Sequence, residues 1–206
     1  MLKSKMVLYA ITDELLTPDE SVLEQVKESL EAGINILQYR NKTKTDKEVK
    51  DICIKLQIMC REYNVTFIID DRPYLAQAIN ADGLHIGKDD MSLIEARTIF
   101  KNGIIGVSCY GSIQKAKEAE EEGASYVAFG SFFPSPTKPH SSIVSKSVIQ
   151  KAKEILNIPI CVIGGISYSN VNEIVKEKPD MVSFISGVYD GCITSNVKNL
   201  LKKMES

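Results

Sequence analysis

The sequence carries little net charge: 25 Lys and Arg against 27 Asp and Glu leave −2 at pH 7. So even a balance gives no general attraction to nucleic acid or to an anionic membrane. Any binding of anions must come from local placement of Lys, Arg and backbone N–H groups. No apolar run approaches the length of a transmembrane helix, and Met1 to Met6 lacks the pattern of a secretory signal. The five cysteines (Cys53, Cys60, Cys109, Cys161 and Cys192) are odd in number and lack metal-type pairing. Reduced thiols in a cytoplasmic protein are the expectation. The glycine fingerprint that a doubly wound dinucleotide fold places after its first strand is also missing.

What is present is a regular alternation. Val7–Thr12, Asn35–Gln38, Phe67–Ile69, Leu84–Ile86, Gly103–Ser108, Tyr126–Gly130, Ile158–Ile163 and Met181–Ile185 read as short buried strands. Helical patterns stand between them, over about residues 19–32, 45–63, 93–101, 111–122, 146–156, 169–177 and 194–204, with an amphipathic segment after Asp71. Strands apolar on both faces belong to a parallel sheet covered by helices. Eight strand–helix units without a linker predict a closed (β/α)8 barrel, an α/β fold, as a single domain over residues 1–206. An open doubly wound sheet is the weaker alternative.

The stretch Thr66–Met91 carries the first chemical signal. Its two strands both end in acid, Asp70-Asp71 and Asp89-Asp90. Parallel neighbours run about 5 Å apart, so acids at their C-terminal ends converge. Like charges that close repel unless a cation or protons intervene, which suggests a divalent-metal site. Helix N-capping competes for Asp89 and Asp90, because Ser92 and a helix follow.

In a barrel, function collects at the C-terminal ends of the strands. Those ends supply Gln38, Arg40 and Lys42, then Asp70, Asp71 and Arg72, then His85, Lys88, Asp89 and Asp90. Ser108, then Ser135, Thr137 and Lys138, then Gly164 and Gly165, and last Ser186 and Gly187 complete the ring. Singly each fits a solvated loop; jointly they face cations, hydroxyls and glycines towards an acidic pair. Gly164-Gly165 is either a tight turn or a phosphate cradle, and Ser186-Gly187 nearby favours phosphate. The loop Pro134–Lys138 can grip an anion, or Lys138 can form an imine as in barrel aldolases. His85, within an apolar strand, fits a satisfied core histidine, and Cys109 has no nearby histidine to activate it.

Taken together these residues resemble the thiamine-phosphate synthase family. The resemblance runs from about Leu8 to Val188. It rests on Leu8–Asp13, Gln38–Lys42, Asp70–Arg72, Ala81–Gly87, Asp89–Met91, Gly106–Ser108, Gly130–Lys138, Gly164–Ile166 and Ile185-Ser186. It implies a barrel enzyme, a transferase that joins a pyrimidine diphosphate to a thiazole phosphate and releases diphosphate. Asp71 and Asp90 resemble ligands of magnesium (Mg2+), the implied cofactor. Gln38, Arg40, Lys42, Ser108, Thr137 and Lys138 resemble contacts to the pyrimidine and its diphosphate, with Arg40, Lys42, Ser108 and Lys138 in catalytic roles. Ser135 and Thr137 resemble hydroxyls beside the thiazole phosphate and the diphosphate, Gly165 and Ser186 resemble the main cradle of the thiazole phosphate, and His85 resembles a pyrimidine-pocket residue. The partners implied are these small molecules, with no nucleic acid and no membrane; a homo-oligomer is left open.

Three departures stand out. Asp70 replaces a usual Asn beside the diphosphate, Lys88 replaces a usual Gln, and Cys109-Tyr110 replaces a usual Thr-His. An ion pair between Asp70 and Lys88 would let the first two compensate. The rival readings are a relative that isomerises the thiazole phosphate and a non-catalytic barrel that binds thiamine phosphates. The isomerising relatives rely on a histidine after strand five, and this chain lacks it.

Overall fold

The computed structural model describes residues 6–135 and 142–205. Eight strands occur among them: β1 Val7–Ile11, β2 Ile36–Tyr39, β3 Thr66–Asp70, β4 Gly83–Ile86, β5 Ile104–Tyr110, β6 Tyr126–Phe129, β7 Ile160–Val162 and β8 Met181–Phe184. Each pairs in parallel with the next, and β1 pairs with β8 through Val7–Met181 to Ala10–Phe184, so the sheet closes on itself. The closed barrel expected from the alternation is therefore present, and the open sheet is excluded.

The helices that cover it are α1 Val22–Ala32, α2 Asp46–Glu62, α3 Pro73–Ile79, α4 Leu93–Ile99, α5 Ile113–Glu121, α6 Ser147–Ile155, α7 Val171–Val175, α8 Ser186–Tyr189 and α9 Ile193–Met204. Local chemistry sets several of their ends. Thr45 with Glu48 and Ser92 with Glu95 form capping boxes that satisfy the first N–H groups of α2 and α4. Ser92 thus does the capping for which Asp89 and Asp90 were candidates. The first helix starts later than the pattern suggests, because the N–H groups of Ser21 and Val22 close a turn onto the Pro18 carbonyl. The four-residue α8 was not legible: its residues run directly on from an apolar strand.

Alternate strand residues point to opposite faces, and this divides the core in two. Leu8, Leu37, Phe67, Ile69, Leu84, Ile105, Phe129, Val162 and Phe184 face outwards into the layer shared with the helices. Tyr9, Ile11, Ile68, Tyr126, Ala128, Cys161 and Met181 form a smaller core inside the ring. The inner core is short of apolar bulk at its upper end. There the side chains give way to a cavity of about 980 Å³ at the C-terminal mouth of the barrel.

Candidate active site

The cavity is floored by polar groups on inward-facing strand positions. Tyr9 and Tyr126 meet hydroxyl to hydroxyl at 2.9 Å, and the Tyr126 hydroxyl lies 2.8 Å from His85 Nδ1. His85 Nε2 in turn lies 2.8 Å from Ser108 Oγ. Burial pushes both phenols well above their usual range, so they stay neutral. His85 is thus a satisfied histidine that also lines the cavity.

One wall is made of charge. Gln38 ends the inward set of β2, and its Nε2 donates to Asp70 Oδ1 at 2.9 Å. Arg40 Nε lies 3.8 Å from Asp70 Oδ2, and its Nη1 reaches Glu14 Oε2 at 3.1 Å and Asp13 Oδ2 at 3.8 Å. The Lys42 ammonium sits 3.3 Å from Asp70 Oδ2 and also pairs with Asp71 Oδ2. Asp70 therefore turns to Arg40 and Lys42, not to Lys88 as the sequence suggested. Burial pushes the Glu14 carboxyl up, but the N–H groups of Lys42 and Glu14 and the charges of Arg40 and Lys42 outweigh it and hold the group below its usual value. Glu14 and Asp13 were not picked out from the sequence, although Asp13 ends a run that matched the family pattern.

Asp71 owes its place to the backbone. It adopts a left-handed conformation at φ 58°, which Asp tolerates better than most residues, and its N–H donates to the His85 carbonyl at 2.8 Å. That turn swings its carboxylate into the same cavity as Asp90. Asp90 Oδ2 accepts the N–H of Gly87 at 2.6 Å, while Asp89 is exposed. Arg72 has a different job. It pairs with Asp46 at 2.6 Å and donates to the carbonyls of Asn41 and Lys44, which fastens the loop carrying Lys42.

The opposite wall is backbone and hydroxyl. Ser135, Gly164, Gly165, Ser183 and Ser186 line a niche of about 30 Å³ continuous in its lining with the main cavity. Gly165 sits at φ 63°, and a Cβ there would lie 2.6 Å from the Phe133 carbonyl oxygen, so only glycine fits. Asn170 Nδ2 donates to the Gly165 carbonyl at 2.9 Å and fixes the turn. This is the position, after strands seven and eight, where barrels of this class often hold a phosphate group. Thr137 and Lys138 lie outside the described residues.

The stretch that supplies the barrel and lines most of the cavity lies within one family model. Residues 8–188 fit the model of the family described as thiamine monophosphate synthase. The chain belongs to that family. Among its relatives, the thiamine-phosphate synthase of Wolinella succinogenes is 43% identical over 93% of this chain and 89% of its own. That of Caldanaerobacter subterraneus is 35% identical over 99% of this chain and 96% of its own. In structure, the thiamine phosphate pyrophosphorylase of Pyrococcus furiosus superposes with a TM-score of 0.88 at 36% identity, covering 100% of this chain and 98% of that one. Membership of the thiamine monophosphate synthase family removes the aldolase reading of Lys138 as the simplest one. Cys109 is equally set aside, since burial pushes its thiol up to about 12.

Proposed function

We propose that this chain condenses a pyrimidine methyl diphosphate with a thiazole phosphate, giving thiamine phosphate and free diphosphate, the activity for which its relatives are named. The observation that carries this reading is the pairing of two unlike walls in one cavity. Lys42, Arg40, Asp71 and Asp90 stand on one side, and the Gly165–Ser186 niche stands on the other. A diphosphate suits the first and a monophosphate the second.

The residues present suit a magnesium ion. Asp71 Oδ2 is buried with the Lys42 ammonium as its partner, and Asp90 lines the same cavity. Among the described residues no cluster of three or more His, Cys, Asp or Glu could hold a metal alone. Magnesium needs only one or two carboxylates when substrate phosphates complete its shell, so Asp71 and Asp90 would hold it. When bound it would supply positive charge against the diphosphate oxygens.

The chain's own groups then account for the rest. The bond between the pyrimidine methylene and the diphosphate oxygen breaks, and the diphosphate leaves with the electron pair. The electron-rich aminopyrimidine stabilises the resulting cation, and the thiazole nitrogen attacks it. Arg40 and Lys42, with Lys138, neutralise the charge that builds on the leaving group. The niche at Gly165 and Ser186 holds the thiazole phosphate so that its nitrogen faces the methylene. Ser108, oriented by His85, contributes a hydroxyl on the cavity floor. No protein nucleophile is needed, in keeping with the buried, protonated state of Cys109.

The four buried thiols, at Cys53, Cys60, Cys109 and Cys161, fit work in the reducing cytoplasm. No helix among the described residues is long and apolar enough to cross a membrane. Mixing both substrates with magnesium and the protein tests the reading directly. Diphosphate and thiamine phosphate should form in equal amounts; no diphosphate release would overturn it.

A further inference from the structure

We infer that Asp70 is a positioning residue that sets which hydrogen-bonding group the pyrimidine must offer, by fixing the direction in which the Gln38 side-chain amide faces. The inference rests on the proposed function for the identity of the ligand, and on the buried pair itself for the mechanism.

The primary amide of Gln38 has one acceptor atom and one nitrogen with two donors. Its two ends differ little in shape, so the neighbour decides which end faces the cavity. Here that neighbour is a carboxylate. Asp70 Oδ1 lies 2.9 Å from Gln38 Nε2, and both residues are buried at the end of adjacent strands. Arg40 Nε at 3.8 Å and Lys42 Nζ at 3.3 Å flank the other carboxylate oxygen, Oδ2. A carboxylate accepts and does not donate. Turning the amide over would set Oε1 against Oδ1, two acceptors in a buried place, with no proton between them. The nitrogen is therefore committed to Asp70, and Oε1 is left for the cavity that Gln38 lines.

A neutral amide at position 70 would impose no such direction, since it could donate or accept and let Gln38 take either orientation. With Asp70 the wall offers a fixed acceptor. It selects a ring that presents an N–H, such as the amino group of an aminopyrimidine, and rejects a ring with a carbonyl oxygen at that point. The same carboxylate draws Arg40 and Lys42 alongside, so orientation of the ring and gathering of the cations are coupled through one side chain. The distances separate the two tasks: the contact to Gln38 has hydrogen-bond length, whereas those to the cations are longer.

Calorimetric titration of the whole protein, with magnesium present, tests this with two probes. One is the aminopyrimidine diphosphate, and the other is the analogue with a carbonyl oxygen in place of the ring amino group. The unaltered protein should prefer the amino compound by about a hundredfold, and Asp70→Asn should cut that ratio by about tenfold. Loss of affinity for both compounds with the ratio unchanged would overturn the inference, because Asp70 would then act by charge alone. A second measurement needs no ligand. The side-chain amide signal of Gln38, assigned in isotope-edited NMR by its loss in Gln38→Met, should be a single sharp pair in the parent. It should double or broaden in Asp70→Asn, and an unchanged signal would equally overturn the inference. If the parent protein binds neither pyrimidine while the NMR result holds, the proposed function fails and the amide lock alone stands.

Discussion

The two walls of the cavity are suited to anions by different means. At the ends of β1 to β4, Arg40 and Lys42 are already engaged by Asp13, Glu14, Asp70 and Asp71. At the ends of β7 and β8 the groups are glycine backbone and serine hydroxyl, held by Asn170 and by tight packing against Phe133. On the proposed function, the charged wall would exchange partners when a diphosphate arrives, because each cation would give up a carboxylate to gain a phosphate. The glycine wall is built to its final shape and gives up little. Specificity by charge and specificity by shape are thus separated across one opening, and substitutions should tell them apart.

The largest effect is expected from Asp71→Ala. It should lower magnesium-dependent turnover by about a thousandfold or more, as loss of transition-state charge stabilisation does. Calorimetry should find thiazole phosphate affinity nearly unaltered; turnover equal to the parent would show that the metal lies elsewhere. Gly165→Ala comes next. A Cβ at φ 63°, 2.6 Å from the Phe133 carbonyl, should cost about 2 kcal/mol or more and lower Tm by several degrees. Steady-state kinetics should show KM rising for the thiazole phosphate and not for the pyrimidine diphosphate, and equal rises in both would blur the division into two walls.

Glu14→Gln probes the charged wall more gently. The folded-state carboxyl lies below its usual value of 4.5, so its stabilisation is present above that pH and lost as pH falls through the folded value. Thermal melts in acid should therefore decline less steeply below pH 4.5 in the variant than in the parent. Freed of one counter-charge, Arg40 and Lys42 should also bind diphosphate a few-fold more tightly. The smallest effect belongs to Ser92→Ala, which removes the cap of α4 just after Asp90. A loss of about 1 kcal/mol is expected, read as a small drop in Tm, with both KM values unmoved.

How much of this was legible in the sequence differs between the walls. The strands could be read because a run such as Phe67–Ile69, apolar on both faces, has few other homes than a parallel sheet. Gln38, Arg40 and Lys42 could be picked out because they cluster at the end of one strand in sequence. Gly164-Gly165 could be read because a left-handed backbone demands glycine. Glu14 could not, since its importance comes from meeting Arg40 and Lys42 across the pairing of β1 with β2, and a linear pattern does not say which charges will face each other. Arg72 is the opposite case. It stands beside Asp71 in sequence, yet its guanidinium turns away to clasp Asp46 and the Asn41–Lys44 turn.

The chain of hydroxyls and imidazole from Tyr9 through Tyr126 and His85 to Ser108 starts in the interior core and ends at the cavity. The cavity therefore has no floor of its own: its lowest layer is the top layer of the barrel's packing. Tyr9 and Tyr126 belong to both. A lineage that reshaped the bottom of this pocket for a different ring would have to repack the inside of the barrel in the same step. The parts of the walls that hang on loops carry no such debt, and they are where a relative with a new substrate would differ first.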